Sequence, residues 1–336
     1  MTVRRKKIGC PQTRHTRSGR RSPYSTRSAS AFKPKGSRPA GIAAEAYALP
    51  HRGVNMLKGL WYWTGDIDAA VPLALDIGAN TMILKAAYHD PVFTGPLKLR
   101  QDFPRNAAKC RAAGLLVAAE VFSLPRTADQ EGRALAAAVR AHGAASAVVN
   151  AETPHEDDDG SGVARLVHAF GAAAPLFACT DFRGDRLTRP YHAQLAKHVA
   201  GWLPMCYPRS FYPDQPFGDL QRAFDDVYWR WNQLGPALPR PGRDAPTMPV
   251  IQAYGGLDYE EAAGQLLLGW RWGAAGASVY ASHDVNDRAK WGVRDAWLAW
   301  DTILRAPPDG AAVAAAAAGG ARDAVLHFYA AAINQR

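Results

Sequence analysis

From residue 56 onward, short apolar runs alternate with longer stretches whose apolar residues recur every three or four positions. Runs of β-branched, aromatic and small apolar residues read as buried strands, and the 3.6-residue spacing reads as amphipathic helix. The strand-like runs fall at 57–63, 81–88, 115–124, 145–152, 176–181, 202–207, 249–254 and 277–283. The helix-like stretches fall at 66–78, 104–113, 128–142, 162–173, 191–199, 217–234, 259–272 and 293–304. Gly78, Gly114 and Gly143 each stand where a helix must stop before the next strand. Asp258 followed by Glu261 has the spacing of a capping box. Strand–helix alternation predicts parallel βαβ units, and eight of them predict an α/β fold, a (β/α)8 TIM barrel over 56–305.

The flanks lack this pattern. Residues 1–55 are rich in Arg, Ser, Pro and Gly and poor in large apolar residues, which predicts a disordered basic N-terminal tail. In 306–336, Ala306-Pro307-Pro308-Asp309-Gly310 and an Ala/Gly tract read as a linker. Val325, Leu326, Phe328, Tyr329 and Ile333 then predict a short C-terminal helix, expected to dock on the barrel.

Charge divides the chain at the same place. The net +10 comes from twelve Lys or Arg and no acid in residues 1–40, leaving 28 basic against 30 acidic residues in 41–336. The body is therefore no polyanion binder by charge. A nucleic acid or anionic surface as partner belongs to the tail alone. Against such an arm stands Met56-Leu57, a natural start just before the first strand. Cys10, Cys110, Cys179 and Cys206 form no CxxC pair, which fits a reducing compartment. Arg4-Arg5-Lys6-Lys7 is followed by no apolar h-region, so no secretory signal is expected. No run of about 18 apolar residues predicts a membrane span. A cytoplasmic or virion-associated location is the expectation.

Chemistry is expected where strands end, because the C-terminal mouth of such a barrel is where its sites assemble. In Ser146-Ala147-Val148-Val149-Asn150-Ala151-Glu152, alternation puts Val148, Asn150 and Glu152 on one face. A carboxylate ending a buried strand is costly unless it is bonded or paired, so Glu152 is the first candidate. Other strand ends offer Trp61 and Trp63, Lys85 and His89, Glu120, Asp181, Tyr207, Gln252 and Tyr254, then Tyr280, His283 and Asp284. Acids, amides and aromatics together suit a sugar, since rings stack on pyranose faces and amides bond hydroxyls. Lys85 and Glu120, on adjacent strands, either neutralise each other inside the barrel or open on the cleft. The strand-end position of Glu120 points to the cleft. The tryptophans have a plain alternative as packing. His155-Glu156-Asp157-Asp158-Asp159 lacks the interleaved spacing of a calcium loop and reads as a solvated turn before a helix. No metal or cofactor is expected.

At these residues the chain resembles the glycoside-hydrolase TIM barrels, the lysozyme-like and chitinase-like superfamily found in phage and bacterial proteins. There an acidic motif ending the fourth strand finishes in the catalytic Glu, matched by Asn150-Ala151-Glu152. A Met-x-Tyr on the sixth strand is matched by Met205-Cys206-Tyr207, and a Gln-x-Tyr-like strand end by Gln252-Ala253-Tyr254. The resemblance implies a glycoside hydrolase acting on a polysaccharide, peptidoglycan included. Glu152 would be the general acid and Glu120 or Asp181 the second carboxylate. Trp61, Trp63, Lys85, Asn150, Tyr207, Gln252 and Tyr254 would bind substrate. The chain departs from the pattern at Asn150, where the lysozyme-like families have Asp, and at Pro208, where the chitinase-like families have Asp. Those departures suit an alternative, a catalytically silent carbohydrate-binding or virion structural barrel. A third reading makes Lys85 a Schiff-base or proton-transfer lysine.

Overall fold

The computed structural model describes residues 57–92, 94–155, 157–181, 189–207, 247–253, 257–271, 274, 276–280, 285 and 287–305. The basic tail, the C-terminal segment and the expected helix at 217–234 lie outside them. The strands are β1 (Leu57–Tyr62), β2 (Thr81–His89), β3 (Leu97–Leu99), β4 (Leu116–Phe122), β5 (Ser146–Asn150), β6 (Leu176–Asp181), β7 (Gly201–Cys206), β8 (Val250–Gln252) and β9 (Gly276–Tyr280). The helices are α1 (Ile67–Asp76), α2 (Phe103–Ala112), α3 (Ala128–His142), α4 (Ser161–Phe170), α5 (Pro190–Leu195), α6 (Tyr259–Arg271) and α7 (Asp287–Arg305).

Eight of the strands are parallel and run β1-β9-β8-β7-β6-β5-β4-β2, with β2 pairing β1 to close the barrel. The ninth, β3, was not expected; it lies antiparallel on the end of β2, with Tyr88 opposite Lys98. Helix α7 begins six residues before the expected 293.

Two cores follow from strand alternation. One side of each strand faces the helices, through residues such as Leu84, Ala119, Ala147, Ala178 and Ala277. Small residues there let the helices approach, and each helix presents buried residues at three- or four-residue spacing, as Val163, Leu166 and Phe170 do on α4. The other side fills the barrel with Trp61, Ile83, Ala118, Val148, Cys179, Leu203, Met205 and Val250.

Helix ends behave as their residues require. Gly143 ends α3 at φ 65°, a left-handed conformation that a Cβ disfavours. Asp258 Oδ1 accepts from Glu261 N at 2.9 Å, and Asp258 N donates to Glu261 Oε2 at 3.4 Å, the reciprocal pair expected at the start of α6. No helix among the described residues is long and apolar enough to cross a membrane.

Candidate active site at the mouth of the barrel

The inward alternation of each strand continues to its C-terminal end and brings most of the expected residues to one mouth. Glu152 stands two residues past β5, half-buried, its carbonyl accepting from His155 N at 2.8 Å. Asn150 ends β5 opposite Cys179, and its Oδ1 is buried with no hydrogen-bond partner. The Cys179 thiol is pushed well above its usual range, first by burial and then by the nearby charges of Glu152 and Glu120, with Lys85 opposing. Glu152, Glu120 and Lys85 are therefore all near enough to act on the charge of this thiol. That thiol is held in its inert, protonated form.

Glu120 is the main departure from the sequence reading. Placed opposite Lys85 on one side and Val148 on the other, it is 1 % exposed rather than open to a cleft. Its Oε2 lies 3.4 Å from Lys85 Nζ, while Oε1 has no hydrogen-bond partner. Burial pushes its carboxyl upward and the Lys85 ammonium pulls it back.

The aromatic residues divide likewise. Trp61 is 5 % exposed and donates its indole N–H to Ser278 Oγ at 2.8 Å, so it is barrel filling. Trp63, 38 % exposed, meets solvent at the mouth, with the Lys85 ammonium over its ring at 4.4 Å. Its ring lies 6.2 Å from Tyr280, which lies 5.7 Å from Tyr207, forming an arc of rings around one side of the mouth. Gln252 is buried in β8, its backbone N–H donating to Gln265 Oε1 at 3.2 Å. Asp181 ends β6 opposite Met205; its side chain, like Tyr254, His283 and Asp284, lies outside the description.

Behind the mouth is a buried network that the sequence did not announce. Glu131, on α3 and 0 % exposed, accepts from Ser123 Oγ at 2.6 Å, Thr127 Oγ1 at 2.8 Å and Leu124 N at 3.0 Å. His89 Nε2 lies 2.9 Å from the same carboxylate. Because Ser123 donates to Glu131, its oxygen accepts from His155 Nε2 at 3.0 Å. His155 was expected in a solvated turn; it is fully buried, although Asp157 and Asp159 beside it are exposed. Burial pushes its ring down to about 4, with Asp158 opposing, so the ring is neutral near pH 7. Among the described residues, no group of three or more His, Cys, Asp or Glu is placed to hold a metal ion.

No family model and no curated protein matches the chain. Solved structures do. A chitinase from Chromobacterium violaceum superposes with a TM-score of 0.52 at 11% identity, covering 72% of this chain and 99% of its own. A class V chitinase from Pseudomonas fluorescens gives 0.53 at 11% identity, over 72% of this chain and 100% of its own. A spore cortex-lytic enzyme from Bacillus cereus gives 0.52 at 8% identity, over 72% of this chain and 74% of its own. At this identity the likeness is one of fold: the chain has a (β/α)8 barrel like those of these solved structures.

Proposed function

We propose that this barrel is a glycoside hydrolase acting on a polysaccharide, peptidoglycan included, with Glu152 as the general acid. The observation that carries the reading is Glu152 itself, a half-buried carboxyl at the end of β5 in the barrel mouth. Cleavage requires a proton for the departing sugar oxygen and a second carboxyl group. That second group sits about 5–5.5 Å away when configuration is retained and about 6.5–9.5 Å away when it is inverted. Of the two candidates for that second role, Glu120 is closed beneath Lys85, which favours Asp181 at the end of the neighbouring β6. In this reading Trp63 would supply a face for a sugar ring, and Asn150 and Tyr207 would orient hydroxyl or amide substituents; Gln252, buried in β8, would act only from beneath them.

A second reading, a barrel that binds glycan without cutting it, draws support from Asn150, an amide where the resemblance expects a carboxylate. One experiment separates the two. The full chain and Glu152→Gln are incubated with chitin oligomers and with peptidoglycan, and new reducing ends are counted. Glu152→Gln is expected to keep its fold and lose cleavage, since an amide cannot donate the proton. Equal cleavage by the variant removes Glu152 from the role. Binding by the wild type with no cleavage supports the silent barrel.

A further inference from the structure

Glu131 sits on α3, behind the mouth, and has no part in the reaction proposed above. A carboxylate closed to solvent is costly unless its oxygens are bonded, and here both are. Oε1 accepts from Leu124 N and Thr127 Oγ1 and lies 2.9 Å from His89 Nε2, while Oε2 accepts from Ser123 Oγ at 2.6 Å. Groups at the ends of β2 and β4 thus pin it from several sides, and it is a fixed acceptor.

That acceptor sets the direction of each proton beyond it. A hydroxyl has one hydrogen. Ser123 gives it to Glu131, so towards His155 it can only accept, and the ring must carry its proton on Nε2, 3.0 Å away. The ring is neutral near pH 7 and has no second proton to place. Nδ1 is therefore a bare lone pair, buried without a hydrogen-bond partner. Facing it at 3.9 Å is Asp158 Oδ2, itself held by Gly160 N and Gly162 N, each at 3.1 Å. Two acceptors stand opposite each other in a site with little water to screen them. Left to itself, the ring would carry its proton on Nδ1 and turn it towards Asp158. The opposite tautomer is imposed from Glu131.

The consequence reaches Glu152. His155 ends the turn Thr153–His155, and its backbone N–H donates to Glu152 O at 2.8 Å. A ring released from Ser123 would close on Asp158, from 3.9 Å to the ~2.9 Å of a hydrogen bond. A displacement of about 1 Å in a reacting group can cost about 100-fold in rate. We infer that Glu131 is a positioning residue, which holds Glu152 in place at the mouth through the hydroxyl of Ser123 and the Nε2–H of His155. The inference rests on Glu152 being the acid of the reading above, and it assigns control of that acid to α3 rather than to the strand that carries it.

The test has a spectroscopic arm and a kinetic arm, both on the full chain. With histidine ring nitrogens isotopically labelled, nuclear magnetic resonance reports which nitrogen of His155 carries the proton, its signals being identified by their loss in His155→Gln. The wild type is expected to show Nε2–H. Glu131→Gln should show Nδ1–H, because its amide can donate to Ser123 and turn that hydroxyl on the ring. In cleavage assays Glu131→Gln should lower kcat by roughly 10–100-fold and change KM by less than about twofold, since substrate contacts are untouched. Ser123→Ala, a smaller change, should give the same two results should Glu131→Gln fail to fold. The double variant should be no slower than the slower single, because the two act in series. Thr127→Val removes a different hydrogen bond to the same carboxylate and should keep the wild-type kcat. An equal fall in that variant would mean general loosening and overturn the relay. A wild-type ring protonated on Nδ1, or relay variants that cleave as fast as the wild type, overturns the role of Glu131 and leaves Glu152 as the acid. A wild type that cleaves nothing, or a Glu152→Gln that cleaves as well, overturns both.

Discussion

Glu120 has its carboxyl group pushed above the ordinary carboxylate range by burial and drawn back by Lys85. Removing the lysine leaves an acid that is buried alone. Breaking a buried pair costs about 3–5 kcal/mol. Lys85→Met should fall near the lower end, about 3 kcal/mol, because a carboxyl already pushed upward escapes by taking a proton. The penalty should vanish below roughly pH 4.5, where the unfolded carboxyl is protonated as well, and grow as pH rises. Adding Glu120→Leu should recover most of the loss, since no charge then remains to be buried. Denaturant unfolding of the two variants checks this. A double variant no more stable than the single would show that the two side chains are not a unit. Trp61 and Trp63 make the same point: two residues apart on one inward face, one is closed by Ser278 and the other meets solvent.

The turn Thr153–His155, between β5 and α4, is the element that fixes Glu152, and it is anchored through its last residue. His155 reaches Ser123 at the end of β4, and Ser123 reaches Glu131 on α3. Asp158 Oδ2 lies 3.9 Å from its other ring nitrogen, and the Tyr191 ring of α5 lies 5.9 Å away. The folded ring titrates at about 4, below its ordinary value of 6.5. Acid therefore protonates the unfolded chain first. The stability this ring contributes is complete above about pH 6.5 and is lost as pH falls towards 4. Measured as the difference between the wild type and His155→Gln, that loss should be roughly 3 kcal/mol, from about 1.4 kcal/mol for each pH unit of separation. A difference that stays flat between pH 7 and 4 would mean that the ring is not held neutral. Cleavage, if Glu152 performs it, should weaken over the same interval.

The whole molecule depends on one seam. β1 and β9 meet in parallel, Leu57 opposite Gly276, and a Cβ at Gly276 would lie 2.4 Å from Leu57 O and 2.8 Å from Leu57 N. Both are backbone atoms and cannot move aside without breaking the pairing. Gly276→Ala should therefore cost about 3 kcal/mol or more, beyond the ~1–3 kcal/mol of ordinary overpacking. Thermal unfolding measures it; a loss under 1 kcal/mol would show that the seam is loose. The seam matters to the site because it joins the strand before Trp63 to the strand that ends in Tyr280. On the outer side, Asp76 at the end of α1 pairs with Lys290 and Arg294 of α7, joining the first helix to the last.

Eight strand-like runs, the described helix stretches between them, Gly143 and the Asp258–Glu261 cap were legible in the sequence because each is a property of neighbouring residues. Alternation along β5 even placed Val148, Asn150 and Glu152 on one inward face. The sequence ranked Glu152 first but left open whether Glu120 pairs with Lys85 inside the barrel or opens on the cleft, and its strand-end position pointed to the cleft. Only closure of the barrel put one beneath Lys85 and left the other half-buried. Nor could the sequence find the network: His155 lies 32 residues from Ser123, and local composition made it resemble the exposed acids that follow it. β3 escaped for a similar reason, since three residues carry too little pattern and their pairing with β2 is tertiary. Periodicity and capping are local, and so they are written in sequence. Burial, the company a charge keeps and the direction of its proton are collective, and they exist only once the chain has closed on itself.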